Sequence, residues 1–283
     1  MIDTIKHPLI EILKNINHKN HEYFILDDEN HIEWLMASNN PQYDIQWLMT
    51  WDKENIKKYQ IKTHWVKSTI FYHLFKNDRI KWIAYVKFNN HTSWISPCIV
   101  TLDNVMDYGN IGSVIRNSYL LGVKEMALIN PFNCFYSKII QASRGLIFNM
   151  KIGLFNNFDD YKNFGPINYL HYLTDCDQQK FNGDHNESVE NSIEKVKVFG
   201  DEPESPLAKT MDKVIVFGDE PESPLAKTMD KVIVFGNEST GITHHWNAIN
   251  NKYYIHIPMI ANKLCDSMNV ASVAAILVYK YIH

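Results

Sequence analysis

From Trp94 to its end, the chain alternates short apolar runs with stretches of helical spacing, and that alternation restricts the fold more than any other feature. Cys98-Ile-Val-Thr-Leu102 reads as an apolar strand, and Gly109 to Leu121 as a helix with Ile111, Val114 and Ile115 on one side. Glu125-Met-Ala-Leu-Ile129 is the next strand and Lys138 to Phe148 the next helix; further strands are predicted at Asn168 to Thr174, Lys231 to Phe235 and Tyr254 to Ile257. In the last helix Val270, Val273, Ala274, Leu277, Val278 and Tyr281 form one unbroken apolar stripe. Apolar strands joined through helices predict an α/β domain with a mostly parallel sheet covered on both faces.

The part before Asn90 has a looser pattern. Glu22 to Leu26 and Ile80 to Val86 read as strands, and His31 to Ser38 and Lys67 to Lys76 as helices. The polar break Asn89-Asn90-His91-Thr92-Ser93 marks a boundary between residues 1–90 and a second domain from 94 to 283, which the length of 283 residues accommodates. Trp34, Trp47, Trp51, Trp65 and Trp82 crowd the first part. Filling the core of a small domain accounts for them more simply than stacking on bases.

Residues 199–216 recur unchanged at 217–234. Two units are too few for a solenoid, so the repeat is read with the acidic run before it as an insertion over about 176–230. Each copy ends in a strand-like Lys-Val-Ile-Val, and both are competitors for one place in the sheet. The copy that continues into Gly236-Asn-Glu-Ser-Thr-Gly241 is expected to win it.

Composition removes several classes of function. A net charge of -4 argues against a chain-wide basic field, although not against a local basic surface. No apolar run is long enough for a membrane helix, and the segment Met1 to Pro8 lacks the apolar centre of a signal peptide. Cys98, Cys134, Cys176 and Cys265 lie far apart with no CxxC pair, so neither a structural metal nor a disulfide framework is expected. A reduced, cytoplasmic protein with no membrane attachment fits these features.

Three segments put glycines and polar residues where a strand ends and a helix begins, the place where open α/β sheets bind ligands. They are Leu102 to Asn117, Val234 to Gly241 and Ile257 to Val270. Singly, each has a structural explanation. Asn110 serves as a helix cap in one reading, Asn237-Glu238 as a turn and Ser267 as the cap of the last helix. Gly109-Asn-Ile-Gly112 matches neither the dinucleotide nor the phosphate-loop fingerprint, which argues against a nucleotide-binding oxidoreductase.

Their combination and order resemble the SpoU/TrmH class of the SPOUT superfamily, S-adenosylmethionine-dependent RNA ribose 2'-O-methyltransferases. Asn110 and Arg116 match its first motif, Phe235-Gly-Asn-Glu-Ser-Thr-Gly-Ile242 its second, and Ile257-Pro-Met with Ser267-Met-Asn-Val270 its third. Ser137 to Phe148 is similar to a stretch of its ribosomal-RNA members. The resemblance implies a trefoil-knotted sheet, a homodimer and bound S-adenosylmethionine. It implies catalytic roles for Arg116, Asn110, Glu238, Ser267 and Asn269, and cofactor contacts at Gly236, Ile257 and Met268. On that reading Gly236 lets backbone approach the cofactor closely. Residues 1–90 resemble, less distinctively, the ribosomal-protein-like domain that binds RNA in several relatives, so ribosomal RNA is the expected substrate. Transfer RNA is the alternative, and a silent RNA-binding relative a further one that the intact set of polar positions disfavours. Met268 stands where the family has leucine, and the loop from Ile257 to Ser267 is longer than its pattern.

Overall fold

A computed structural model of the chain describes residues 2–16, 21–131, 133–174, 214–216, 229–257 and 268–282. The first region builds a four-stranded sheet from β1 (Tyr23–Leu26), β2 (Tyr43–Thr50), β3 (Thr63–Trp65) and β4 (Trp82–Phe88), in the order β1-β4-β2-β3. β4 runs antiparallel to both neighbours, while β2 and β3 are parallel. Helices α1 (Pro8–Lys14), α2 (Glu29–Ser38) and α3 (Ser68–Phe75) complete it. Strand β2 escaped the sequence reading because its second half, Trp47 to Thr50, is buried on both faces, and a bulge after Ile45 breaks the alternation. Trp47 and Trp82 are buried, so these two rings fill the core as expected.

The second region is the expected α/β layer. Strands β5 (Cys98–Asp103), β6 (Glu125–Ile129), β7 (Lys151–Phe155), β8 (Leu170–Thr174), β9 (Val214–Val216), β10 (Lys231–Phe235) and β11 (Lys252–His256) form a sheet in the order β7-β6-β5-β10-β8-β11-β9. Every pairing in it is parallel. Alternate residues of β5 serve two separate apolar clusters, Val100 and Leu102 in one, Ile99 in the other. The first holds α4 (Tyr108–Leu120), α5 (Ser137–Ala142) and the last helix, α7 (Val270–Ile282). The second holds Tyr161 of α6 (Phe158–Phe164) and Trp246. Both faces are therefore covered.

The tandem copies do not contest one place. Lys231–Phe235 lies between β5 and β8 as expected, but Val214–Val216 of the earlier copy adds to the outer edge beside β11. The rest of the insertion read over 176–230 lies outside the described residues, save 229 and 230.

One predicted helix is corrected. Lys138 to Phe148 is not continuous: α5 stops at Ala142, Arg144 and Gly145 adopt φ of 54° and 74°, and a tight 3-10 turn follows over Leu146–Asn149. A Cβ on Gly145 would fall 2.7 Å from the Cβ of Trp34, so the chain turns sharply beneath α2.

The two regions share one core. Phe135, on the loop after β6, stacks on Phe24 at 4.0 Å and packs against Phe88 at 4.9 Å. β7 would expose a bare sheet edge, but side-chain amides cover it. Gln42 exchanges two hydrogen bonds with the backbone of Ile152, both 2.8 Å, and Asn90 does the same with Leu154 at 2.7 and 2.8 Å. Asn40 donates to the carbonyls of Phe148 and Met150. The joint between the regions is pinned by Glu125, 1% exposed, whose Oε2 accepts the N–H groups of Ile95 and Ser96 at 3.0 Å.

Candidate functional site

Two turns at the C-terminal ends of the central strands build the site. After Asp103 the chain passes through Asn104, φ 56°, into α4. Asp107 caps this helix by accepting the N–H of Asn110 at 2.7 Å. Asn110 is thus not the cap; it lies in the first turn with its side chain available for other contacts. The last helix is corrected in the same way. Its cap is Asn269, whose Oδ1 accepts the N–H of Ala271 at 2.8 Å, and Ser267 lies outside the described residues.

The second turn comes after β10. Gly241, φ 65°, donates its N–H to the Asn237 carbonyl at 2.8 Å. A Cβ on Gly236 would come within 2.4 Å of the Gly241 carbonyl, so closure of the turn itself requires glycine at 236. That differs from the close approach of a cofactor expected from the sequence. Asn237 accepts the N–H groups of Ser239 and Thr240 and donates to the Asn104 carbonyl at 2.9 Å, tying this turn to the first.

Three of the residues singled out in the sequence meet there. The Asn110 Nδ2 donates to Glu238 Oε1 at 3.2 Å, and the Asn269 Nδ2 donates to Asn110 Oδ1 at 2.8 Å. Glu238 and Asn269 are exposed and Asn110 half-buried, so the chain of polar groups faces solvent. Asn117, two turns further along α4, donates to the Ala271 carbonyl at 3.0 Å and holds α4 against α7. Gly236 and Ile257 lie just past the ends of β10 and β11, the two neighbours of β8, and Met268, 37% exposed, precedes Asn269.

Arg116 does not join this group. Six residues beyond Asn110, it projects from α4 about 120° around the helix axis at ~100° per residue. It is exposed and makes no hydrogen bond or ion pair among the described residues.

Beneath the two turns lies a residue the sequence reading missed. Asp103, 5% exposed, ends β5 and accepts the Trp246 indole N–H at 2.8 Å and the Thr243 hydroxyl at 3.3 Å. Burial raises its carboxyl pKa, and these two donors oppose the rise. It therefore anchors the segment after Gly241 to the end of β5. The available signal was an acidic residue closing an otherwise apolar strand. Asn117 was likewise missed, since an amide that serves backbone has no distinctive spacing, whereas Asn237 lies in the turn read there from the sequence.

The model of the SpoU rRNA Methylase family matches residues 97–279. Among solved structures, the chain is similar to an rRNA methyltransferase from Sinorhizobium meliloti with AdoMet bound: 14% identity, 99% of this chain and 96% of that one, TM-score 0.63. It is also similar to the SpoU methyltransferase AviRb from Streptomyces viridochromogenes in complex with AdoMet, at 15% identity over 96% of this chain and 94% of that one, TM-score 0.60. A crystal structure of an RNA 2'-O ribose methyltransferase shares 16% identity over 99% and 97% of the two chains, with a TM-score of 0.55. No curated protein sequence matches. Among the described residues there is no group of side chains suited to a metal ion, and no helix is long and apolar enough to cross a membrane. The family model spans both turns and both helices that meet at Asn110, and this chain belongs to the SpoU rRNA methylase family.

Proposed function

We propose that the protein is an S-adenosylmethionine-dependent methyltransferase that modifies a ribose 2'-hydroxyl of ribosomal RNA and acts as a homodimer with a knotted C-terminal region. The observation that carries this reading is the meeting of Asn110, Glu238 and Asn269, far apart in sequence, at the C-terminal ends of parallel strands. Two amides and a carboxylate, with the apolar Ile257 and Met268 on adjoining segments, suit a cofactor that carries both polar and cationic parts. Backbone groups at Gly236, Ile257 and Met268 would hold its adenosine.

When bound, the cofactor supplies a methyl group activated by a sulfonium charge, so in-line positioning of the hydroxyl supplies much of the remaining acceleration. Asn110 and Asn269 orient the ribose by hydrogen bonding, and Ser267 adds a hydroxyl from the same motif. Glu238 holds Asn110 in place. The Arg116 guanidinium is a cation that presents only hydrogen-bond donors, so its role is to stabilise the developing oxyanion or the adjoining phosphate. Its position around α4 from Asn110 favours service to the site of the partner protomer. Ribosomal RNA is favoured because a first region precedes the α/β region, is hydrogen-bonded to it and is spanned by the structural likenesses above.

Incubation with tritiated S-adenosylmethionine and total RNA tests the reading. Label is expected in the large RNAs, as a nucleotide resistant to alkali. Arg116→Ala is expected to abolish transfer with cofactor affinity nearly unchanged. Absence of label overturns the enzyme, label in short RNAs alone overturns the ribosomal substrate, and alkali-labile label overturns the ribose position.

A further inference from the structure

Tyr136 presents an aromatic ring to solvent beside the site, on a turn that is otherwise part of the core. It is 47% exposed, whereas Cys134 and Phe135 just before it are 1% and 4% exposed. Phe135 is locked against Phe24 and Phe88 of the first region, and the Tyr136 N–H donates to the Asn133 carbonyl at 3.3 Å. The Tyr136 ring lies 4.7 Å from that of Tyr108, tilted by 40°. Tyr108 opens α4, two residues before Asn110, so the ring pair lies at the same end of α4 as the polar group described above, about 200° around the helix from it. Lys138 approaches the same spot: a Cβ built on Gly109 would lie 4.0 Å from its Cε.

A single exposed aromatic ring needs no explanation. A ring held by a buried turn, backed by a second ring and accompanied by a cation, is suited to a planar, anionic-backboned ligand. Unpaired RNA bases stack on such rings, and a lysine takes the neighbouring phosphate. Because the turn is already fixed by the core, little ordering is needed when a base arrives.

We infer that Tyr136, backed by Tyr108, stacks an unpaired base next to the modified nucleotide, with Lys138 on its phosphate; this rests on the RNA reading above. The platform sets which nucleotide presents its ribose to Asn110, and it needs a target whose neighbour is out of the helix.

The test compares Tyr136→Leu, which keeps apolar bulk but removes the ring, with Tyr136→Phe, which keeps the ring. Binding of a fluorescein-labelled, unstructured oligoribonucleotide is measured beside methyl transfer to ribosomal RNA. Tyr136→Leu is expected to weaken RNA binding about tenfold, the scale of one stacked base, and to raise KM for RNA correspondingly. Its kcat and its affinity for S-adenosylmethionine stay those of the wild type, and Tyr136→Phe behaves as wild type. Lys138→Gln lowers the salt dependence of binding by about one phosphate contact. Equal binding by wild type and Tyr136→Leu overturns the platform. If the wild type binds RNA but transfers no methyl group, the enzymatic reading fails, and the binding comparison still decides the platform.

Discussion

Val214-Ile-Val216 and Val232-Ile-Val234 are the same three residues inside identical 18-residue units, yet they form different strands. β9 has one neighbour, β11, at the outer edge; β10 lies between β5 and β8 in the middle of the sheet. Strand propensity cannot separate them, but the residues on the C-terminal side of each copy differ. After β10, Asn237 bonds the Asn104 carbonyl and receives the N–H of Ser239, and Thr243 and Trp246 close over Asp103. Eighteen residues earlier the chain has Asp219, Pro221, Leu225 and Thr228 at those four places. Asp219 has no amide to donate, Pro221 no N–H, and Leu225 no hydroxyl. The flanks of the two identical segments therefore differ in the hydrogen bonds their residue types can offer.

The largest expected effect separates the two positions directly. Ile233 is fully buried, and Ile233→Ala is expected to cost about 2–5 kcal/mol by cavity formation. Ile215→Ala, in a strand paired with β11 at the end of the sheet, is expected to cost less. Denaturant unfolding of the two variants measures both, and equal losses would mean that the edge strand is as much a part of the fold as the central one.

Acid should act on the centre of the sheet first. His171 on β8 pairs with Val232 of β10, is fully buried, and bonds the Tyr161 hydroxyl at 3.0 Å and the Tyr169 carbonyl at 2.9 Å. The Nδ1–H donates to that carbonyl, which leaves Nε2 to accept from Tyr161 and keeps the ring neutral. Burial lowers its pKa to about 4, against 6.5 for an ordinary histidine, while its backbone hydrogen bonds oppose the shift. The unfolded chain takes up the proton first, so the stability this ring contributes is complete above about pH 6.5 and is lost as pH falls toward 4. Burial also lowers the pKa values of His31 and His64, which adds to the same slope. Thermal unfolding from pH 7 to 4 should show the decline, and His171→Gln should make it shallower; an unchanged slope would assign the acid sensitivity elsewhere.

The smallest effect is expected from removing one repeat. Deleting 199–216 or 217–234 produces the same polypeptide, because the units are identical. Its single copy leads into Gly236 and should occupy the centre, with β9 lost. Methyl transfer and cofactor affinity are expected to match the full chain, and the melting temperature to shift by no more than about 2–4 °C. Loss of transfer would show that the edge strand supports the site.

Legibility in the sequence followed environment. β5, β6 and β10 were read nearly to the residue because strands buried on both faces of a parallel sheet appear as plain apolar runs. β7 went unread because Gly153 interrupts the apolar run Lys151-Ile-Gly-Leu-Phe155, where a Cβ would fall 2.6 Å from the Trp94 ring. The helix from Lys138 was read too long because its break at Gly145 is imposed by Trp34, more than a hundred residues away. In the site, Asn110, Glu238 and Asn269 were legible as a motif combination and meet in one hydrogen-bonded chain, whereas the roles of Asp103 and Asn117 were not. The interface between regions was equally hidden, since nothing local marks Gln42 and Asn90 as partners for the edge of β7.

Periodicity and motif order by themselves determined the α/β class, the final amphipathic helix and the residue types gathered at the candidate site. They did so because apolar spacing and short motifs are local properties of the chain. Tertiary structure decided which copy of Lys-Val-Ile-Val is central, why Gly236 has no side chain, that Asp107 rather than Asn110 caps α4, and that Tyr136 stands exposed beside the site. Each of these depends on atoms brought together from distant positions, where hydrogen-bond partners and available volume exist only after the chain has folded.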